Sequence, residues 1–535
     1  MWRHVRFVVA VFILLSGVLP PRPAQCAAAL ERGTAIIDPA ALRALDHGRF
    51  GLGHVLAPAR VSDAPLTSGE LFDLPSMVPV RKALDAEFDR YLARHKANLP
   101  NESIGVGTAY DFQLFDRAPL YSGQARFVLA GIVNRMDRAY VSEANCGEIR
   151  LIYRLVRTDI KDVGIGAPEA GEGAISPRLP MTLNIVLKAK RDNKGNDAAE
   201  RGKALACAEI ARRWLASGDW PLTGAELAEK LISEDGPLDL VRPENIDRIE
   251  TNTQIAHAPK SAVRDFRTDY LFKVFDYNAL SQAFEESPLE NQIDRDRIMA
   301  DEKLKGDFKA WLLDPRHLRE LDRATILIPD RFLATAAIGP TPVGFAPSPL
   351  QPEFGLVQGE GNAKTGAVFS ESDVEAALKK AADSGEELRN IRSLAGFERR
   401  LNDVTCSGCH QTRGIGGFHF PGVDWMVADP NNSTIVPASP HFFGDQVRRR
   451  DIVTNFRDGG HPDFSHGFAS RPQLRGSTEL AGTQYDDGWG AHCYVRHPAA
   501  TDNDASFTSW SCAEGLACQP MDKASRIGMC FIGER

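Results

Sequence analysis

The chain has 535 residues, of which 43% are hydrophobic and 25% charged, and its formal net charge is −8. These values are typical of a globular protein that is long enough for roughly two to four domains. The negative charge argues against a nucleic-acid partner, because proteins that bind nucleic acids need a basic surface that neutralises phosphates. We therefore expect no nucleic acid among the partners of this protein.

Residues 1–28 are predicted to be a secretory signal peptide. Basic residues begin the chain, an uncharged apolar run follows over 7–19, and prolines and small residues lead up to Ala29. This order of regions is typical of exported proteins. The apolar run is too short for a permanent anchor, so we expect no membrane span after cleavage and a periplasmic or secreted location. Cys26 leaves a lipidated N-terminus as an alternative, although the residues before it match such processing poorly.

Residues 30–235 are predicted to form an α+β domain with one disulfide. Apolar runs and one alternating segment predict strands at 127–133, 149–153 and 181–187. A helix that contains Cys207 follows these strands. Cys146 and Cys207 are the only cysteines between the signal peptide and the C-terminal half of the chain. Because an oxidising compartment favours paired thiols, we predict that these two cysteines form a disulfide.

A dense group of charged residues lies beside Cys146 in the sequence. Its members are Arg135, Asp137, Arg138, Glu143, Glu148 and Arg150. Such a group could line a substrate cleft, or it could be a solvated turn with local ion pairs. Exposed ion pairs are common on protein surfaces, so the sequence favours the solvated turn.

Residues 236–339 are predicted to be helical, and residues 340–369 are predicted to be a Pro/Gly-rich linker. Apolar residues recur at helical spacing from Ile298 to Leu312, and the Asp314–Pro315 step ends that pattern. Five prolines between Pro340 and Pro352 then indicate a linker or an extended bridge into the next region.

Cys406, Cys409 and His410 form a C-x-x-C-H motif, which is the signature of covalent haem attachment. Two thiols at this spacing can add to the two vinyl groups of one haem, and the histidine can ligate its iron. The alternatives are a redox dithiol, or a zinc site that also uses His419. We predict haem c and its iron, because a dithiol needs a βαβ context and zinc a second ligand pair.

Residues 370–490 resemble a c-type cytochrome domain, chiefly in Cys406, Cys409 and His410. A capping-box pattern at 372–375 predicts a first helix, and a second apolar run containing Phe397 leads directly into the motif. A helix with a buried aromatic residue before C-x-x-C-H is similar to the N-terminal helix of c-type cytochromes. The resemblance implies a mainly α, cytochrome c-like haem domain. The Gly-Pro segment and the clear distal methionine region of small cytochromes are not found.

The second axial ligand of the iron is not determined by the motif. The downstream candidates are His419, Met426, His441, His461, His466 and His492. We favour His441, because the chain before it is long enough to circle the haem and its neighbours are apolar. Met426 is the second choice, and a vacant position stays open. For each histidine taken alone, a structural hydrogen-bonding role is the alternative.

Residues 491–535 are predicted to form a small disulfide-rich module. The segment contains Cys493, Cys512, Cys518 and Cys530. So short a segment cannot build its own apolar core, so disulfides would stabilise it. Four cysteines permit three connectivities, and the sequence does not choose among them. A zinc knuckle is the alternative for this module.

The sequence as a whole predicts a multidomain protein with an α+β N-terminal region, a mainly α cytochrome c-like domain and a small disulfide-rich C-terminal module. The predicted function is electron transfer with an unidentified redox partner protein in the periplasm. One alternative is a haem-dependent oxidoreductase, peroxidase- or oxygenase-like, with a substrate cleft in the N-terminal region. Another is a secreted binding protein with a structural or sensory haem. No residues are predicted as catalytic, and no hydrolase motif is present.

Overall fold

The structure is a computed structural model that describes residues 31–60, 64–104, 117–142, 144–158, 178–190, 207–239, 241–262, 267–340, 367–408, 442, 445–467, 492–495, 504–507, 510–512, 515–520 and 527–532. The predicted signal peptide and most of the predicted linker lie outside these residues. Within the described part of the chain, no helix combines the length and the apolar composition needed to cross a bilayer.

Twelve strands are described, and nine of them form one antiparallel sheet. These nine are β1 (Ala35–Ile36), β2 (Glu102–Ile104), β3 (Ala125–Arg135), β4 (Asn145–Arg157), β5 (Arg178–Lys190), β6 (Ile246–Pro259), β7 (Arg267–Asn278), β8 (Ala283–Ser287) and β9 (Ala337–Pro340). Seven strands follow one another in the order β1-β3-β4-β5-β6-β7-β8, while β2 pairs with β6 and β9 with β7. The sheet curls into a half-barrel.

The helices surround this sheet or pack with one another beside it. They are α1 (Pro39–Asp46), α2 (Leu52–Leu56), α3 (Ser68–Asp73), α4 (Val78–Asn98), α5 (Arg117–Leu120), α6 (Cys207–Gly218), α7 (Gly224–Ile232), α8 (Arg295–Ala300), α9 (Glu302–Leu312), α10 (Pro315–Asp322), α11 (Glu371–Asp383), α12 (Leu394–Asp403) and α13 (Gln446–Arg457). Short 3-10 helices lie at Met136–Val141, Pro243–Asn245 and Asp330–Phe332.

The two faces of the sheet differ in chemistry because side chains alternate along each strand. On β4, Ile149, Leu151 and Tyr153 face the main apolar core, which also contains residues of α1, α3, α6 and α7. The intervening residues Glu148 and Arg150 face the other way, and both are buried. We call this second side of the sheet the polar face. The strands predicted at 127–133, 149–153 and 181–187 lie within β3, β4 and β5, so these predictions are confirmed.

The predicted mainly α cytochrome c-like domain is wrong. Helices α11 and α12 share one apolar core with α8, α9 and α10, in which Phe397 packs with residues such as Phe308 and Leu318. Helix α13 is not part of this helical core. It packs on α6, and its Val453 belongs to the main apolar core of the sheet. The apolar periodicity of α11 and α12 predicted that one face of each is buried, but it did not specify which element covers that face.

The helical interpretation of 236–339 is also wrong for a large part of that segment. Strands β6, β7 and β8 lie between Ile246 and Ser287, and the described α-helices of this segment lie between Arg295 and Asp322. Polar residues occur on both faces of β6, for example Glu250 and Thr251, so the apolar alternation that marks a half-buried strand is missing. Helix α11 begins two residues earlier than predicted, because Ser370 and Asp373 form its capping box.

Three disulfides are described. Cys146 and Cys207 are paired, with 5.4 Å between their Cα atoms, which confirms this prediction. In the tail, Cys493 pairs with Cys518 and Cys512 with Cys530. A small sheet of β10 (His492–Tyr494), β12 (Ile527–Ile532) and β11 (Leu516–Pro520) contains three of these four tail residues. The pairing rules out the zinc-knuckle alternative, because disulfide sulphurs are not thiolate ligands.

Candidate functional site

The first cysteine of the C-x-x-C-H motif begins a new helical turn just after α12. Helix α12 ends at Asp403, and helical backbone resumes over 406–408. The hydroxyl of Thr405 accepts a hydrogen bond from the Gly408 amide at 3.0 Å, as an N-cap residue does. The same hydroxyl donates to the Asn402 carbonyl at 2.8 Å. Thr405 therefore determines the break between the two helical segments and the start of the motif.

The two residues that follow Cys406 are held by the structure around them. The amide and the hydroxyl of Ser407 both donate to Oε1 of Gln292, at 3.2 Å and 2.9 Å. Both side chains are buried. At Gly408 a Cβ atom would lie 2.1 Å from the carbonyl oxygen of Asn402. We call residues 405–408 the attachment turn. Its conformation is set by contacts outside the motif itself.

Cys406 lines a cavity of about 460 Å³, which we call the charged cavity. Ligand pockets in proteins typically have volumes of roughly 300–1,000 Å³. The polar face of the sheet forms one wall with Arg150, Arg248 and Glu250, and the 3-10 helix at Met136–Val141 contributes Arg138. Residues far apart in sequence therefore line one cavity together with a motif cysteine.

Glu148 lies at the centre of a buried ion-pair network on the polar face. Its carboxylate is 3.1 Å from Nε of Arg138, 2.9 Å from Arg150 and 3.0 Å from Arg248. Glu250 also pairs with Arg150 and Arg248, at 3.0 Å and 2.9 Å. Burial alone would raise the pKa of Glu148, but the three arginines outweigh it and hold that pKa well below its ordinary value.

Glu290 connects this network to the attachment turn. Its carboxylate accepts two hydrogen bonds from the Arg138 guanidinium, one of them at 3.1 Å. Its backbone carbonyl oxygen lies 3.9 Å from Sγ of Cys406. Glu290 therefore contacts both Cys406 and the buried Arg138. A change of charge or position at Cys406 would act on Arg138 through this one residue.

A second ion-pair network joins α13 to the same cavity. Asp137 pairs with Arg135 at 2.8 Å and with Arg448 at 3.0 Å. Asp445, which precedes α13, pairs with Arg448 at 2.8 Å and with Arg449 at 2.7 Å. Burial raises the pKa of Asp445, but Arg448, Arg449 and His466 together hold it well below its ordinary value.

The interpretation of the charged group beside Cys146 as a solvated turn is wrong. Arg135, Asp137, Arg138, Glu148 and Arg150 are all less than 9% exposed. Strand alternation places Glu148 and Arg150 on the polar face, and the charged cavity lies against this face. Arg135, Asp137, Arg138 and Arg150 line the charged cavity, and whether this cavity is a substrate cleft stays a prediction. Glu143 lies outside the described residues.

Of the residues predicted to hold haem or its iron, the structure describes Cys406. Cys409, His410, Met426 and His441 lie outside the described residues. Phe442, the neighbour of His441, is buried against Val133 and Ile152 of the sheet. His461 is exposed.

His466 is the one described histidine in the lining of the charged cavity. Its Nε2 is 3.1 Å from Asp445, and its Nδ1 is 2.9 Å from the Gly467 carbonyl oxygen. Both ring nitrogens therefore face acceptors, and ligation of iron through either one would break a contact. Nothing in the sequence distinguishes His466 from the other candidates, because its approach to Cys406 depends on tertiary packing.

The surroundings of Cys406 fit a covalently bound haem. Cys406 packs against an apolar cluster that includes Tyr270, Phe272 and Val274, and such a surface suits an apolar macrocycle. Guanidinium groups elsewhere in the cavity suit the two carboxylates of a haem. Cys406 with Cys409 would hold the group, and His410 would ligate its iron.

Comparison of the chain with protein-family models, with curated proteins and with solved structures found no match.

Proposed function

We propose that this chain is an exported single-haem redox protein that transfers electrons with a partner protein in the periplasm. Cys406 and Cys409 hold haem c covalently, and His410 ligates the iron. The observation that supports this most directly is that Cys406, capped and anchored at the start of a helical turn, lines the charged cavity. When bound, the haem would supply a one-electron redox centre.

The residues around the cavity have two tasks in this proposal. Thr405, Ser407 and Gly408 fix the attachment turn, so that the Cys406 thiol faces the cavity. The ion pairs of Glu148 and Asp445 hold the charged wall in one arrangement. A wall of fixed charges reorganises little when the charge in the cavity changes, which favours rapid electron exchange.

Disulfides are compatible with an oxidising compartment outside the cytoplasm. We propose that the protein stays in the periplasm and is not released to the external medium, because a redox partner would be within reach there.

The covalent attachment is tested by expressing the protein in a host competent in cytochrome c maturation. We expect that acidified acetone does not extract the haem and that the intact mass exceeds that of the processed polypeptide by one haem. The Cys406→Ala variant should lose one thioether bond, while the exposed-site control Ser372→Ala should match the wild type. Recovery of colourless wild-type protein would overturn the proposal.

A second candidate function is a haem-dependent oxidoreductase with its substrate cleft in the N-terminal region. It is favoured by the fact that the polar face of the N-terminal sheet and Cys406 line the same cavity. Substrate would then bind between the sheet and the iron.

The two functions differ in whether the iron has a free coordination position. Electron transfer predicts a low-spin ferric spectrum and no rapid binding of carbon monoxide after reduction. A high-spin spectrum with rapid carbon monoxide binding would instead support the oxidoreductase. His441→Ala, Met426→Ala and His466→Ala then identify the distal ligand, because loss of that ligand converts a low-spin iron to high-spin.

A further inference from the structure

We propose that His95, Glu102 and His257 form a binding site for one zinc ion, separate from the haem motif. The three residues come from the last turn of α4, the first residue of β2 and the C-terminal part of β6. Only three residues separate α4 from β2, so the chain turns back sharply onto the sheet. Strand β2 pairs with β6 so that Glu102 lies opposite Pro259, two positions along from His257. Residues that alternate by two share a face, which brings Glu102 and His257 together.

The donor atoms of the three side chains point at one another. Nε2 of His95 lies 3.7 Å from Oε2 of Glu102, and Nδ1 of His257 contacts the same oxygen. All three donor atoms lie within 4.8 Å of one another. Ligand atoms around a tetrahedral zinc, with bonds of about 2.0–2.2 Å, are about 3.3–3.6 Å apart. Small side-chain movements would therefore complete the site.

His95 provides a second and independent observation. Its side chain is 3% exposed, and among the described residues its Nε2 has no hydrogen-bond partner. The separation of 3.7 Å from Glu102 is too long for a hydrogen bond. A buried nitrogen without a partner costs roughly 1–3 kcal/mol. A bound metal ion would remove this cost by accepting the nitrogen lone pair.

His257 has the outer support that metal-binding histidines usually have. Its Nε2 lies 3.4 Å from Oδ2 of Asp269, and the Tyr91 hydroxyl donates to the same oxygen at 2.9 Å. A carboxylate at one ring nitrogen orients the imidazole and leaves the other nitrogen for the metal. In His257 the nitrogen left for the metal is Nδ1, which faces Glu102.

The charge balance of the cluster also calls for a cation. In the charged cavity each buried carboxylate pairs with arginines. Around Glu102 and Asp269, by contrast, the ion pairs of the described residues involve only histidines. A divalent ion would balance the two carboxylates. Two imidazoles and one carboxylate suit zinc better than calcium or magnesium, which prefer oxygen ligands. Three protein ligands leave a fourth position for water.

The test measures zinc in the purified full-length protein after treatment with a chelator and dialysis against micromolar zinc. We expect one zinc per chain by elemental mass spectrometry, and a rise in the unfolding temperature on addition of zinc. His95→Gln and Glu102→Gln should lose the zinc, and Asp269→Asn should weaken binding by about 10–100-fold. The control His461→Gln changes an exposed histidine outside the cluster and should bind as the wild type does.

Two results would overturn the proposal. One is wild-type protein that retains no zinc and whose unfolding temperature is the same with zinc and with chelator. The other is His95→Gln protein that binds zinc as tightly as the wild type. If the variants fail to fold, the wild-type measurements decide the question. The same elemental measurement quantifies iron as well as zinc. Loss of the zinc and loss of the haem iron are therefore detected separately.

Discussion

The conformation of the attachment turn depends on contacts of individual residues on two sides of it. At Gly408 an added Cβ would meet the Asn402 carbonyl oxygen at 2.1 Å, and this backbone atom cannot rotate away as a side chain could. Ser407 is anchored from the other side by Gln292, which follows β8 in the chain. The C-x-x-C-H motif specifies neither of these residues. In this protein, however, both are needed to hold Cys406 against the cavity.

We predict that Gly408→Ala destabilises the protein and lowers the yield of covalently bound haem. Overpacking of this kind costs about 1–3 kcal/mol. Gly306→Ala in α9 is the matched control, because apart from the helix's own backbone no atom of the described residues lies within 4 Å of its added Cβ. Removal of a glycine from an open helical site should stabilise the protein by about 0.5–1 kcal/mol. Urea unfolding and haem absorbance measure both effects, and equal behaviour of the two variants would contradict the prediction.

At the scale of elements, the register of the sheet assembles the charged wall. Arg135 lies opposite Glu148 across β3 and β4, and Arg248 lies opposite Asp276 across β6 and β7. Neighbouring strands therefore bring opposite charges onto the same face. Arg135 and Glu148 are both buried, whereas Asp276 is exposed, so loss of one partner leaves a buried charge without compensation at the first pair.

We predict that Glu148→Gln lowers the free energy of unfolding by about 3–5 kcal/mol, because three arginines, two of them buried, lose their shared carboxylate. Glu302→Gln is the control, since the Glu302 side chain is 84% exposed and pairs with Lys305 at 3.7 Å. A surface pair of this kind contributes about 0–1 kcal/mol. Urea denaturation of both variants checks the difference. Costs of similar size would show that the network adds no stability.

The same carboxylates predict how stability depends on pH. The pKa values of Glu148, Asp137 and Asp445 are below their ordinary values in the folded protein. In the unfolded chain these groups titrate near pH 4, so there the unfolded state binds more protons as the pH falls. Their stabilisation is complete above about pH 5 and is lost progressively below about pH 4. Unfolding free energies between about pH 3 and pH 7 should fall less steeply for Glu148→Gln than for the wild type.

At the scale of the whole molecule, disulfides stabilise two separate parts. Cys146 and Cys207 connect the beginning of β4 to the beginning of α6 across 61 positions of sequence. Both residues belong to the main core. In the tail, Cys493–Cys518 joins β10 to β11, and Cys512–Cys530 ties β12 to the segment before β11; these short segments bury little apolar surface.

We predict that the double variant Cys146→Ser/Cys207→Ser loses about 2–5 kcal/mol of stability, because the unfolded chain gains the freedom that the disulfide removed. Cys512→Ser/Cys530→Ser is the control, because it opens a pair in the small tail sheet. Hydrogen exchange measured by mass spectrometry separates the two cases. The first variant should exchange faster in β3 to β6, and the control should exchange faster only in the tail. Unchanged protection of the sheet in the first variant would contradict the prediction.

The sequence by itself determined the local features of this protein. Three strands of the sheet follow from apolar runs and alternation, and the Cys146–Cys207 pair follows from cysteine positions. The haem prediction for Cys406 rests on the spacing of reactive groups within one turn. Each of these signals lies in a short stretch of chain, or in an elimination among few cysteines, so no knowledge of packing was needed.

Only the tertiary structure decided what covers each buried face. Helical periodicity predicted apolar faces on α11 and α12, but packing decided that both lie in a core shared with α8, α9 and α10. The burial of Glu148 follows from the register and cover of β4, and the cluster of His95, Glu102 and His257 joins residues as much as 162 positions apart. A sequence pattern specifies which side of an element avoids water, while contacts between distant residues depend on the relative placement of whole elements.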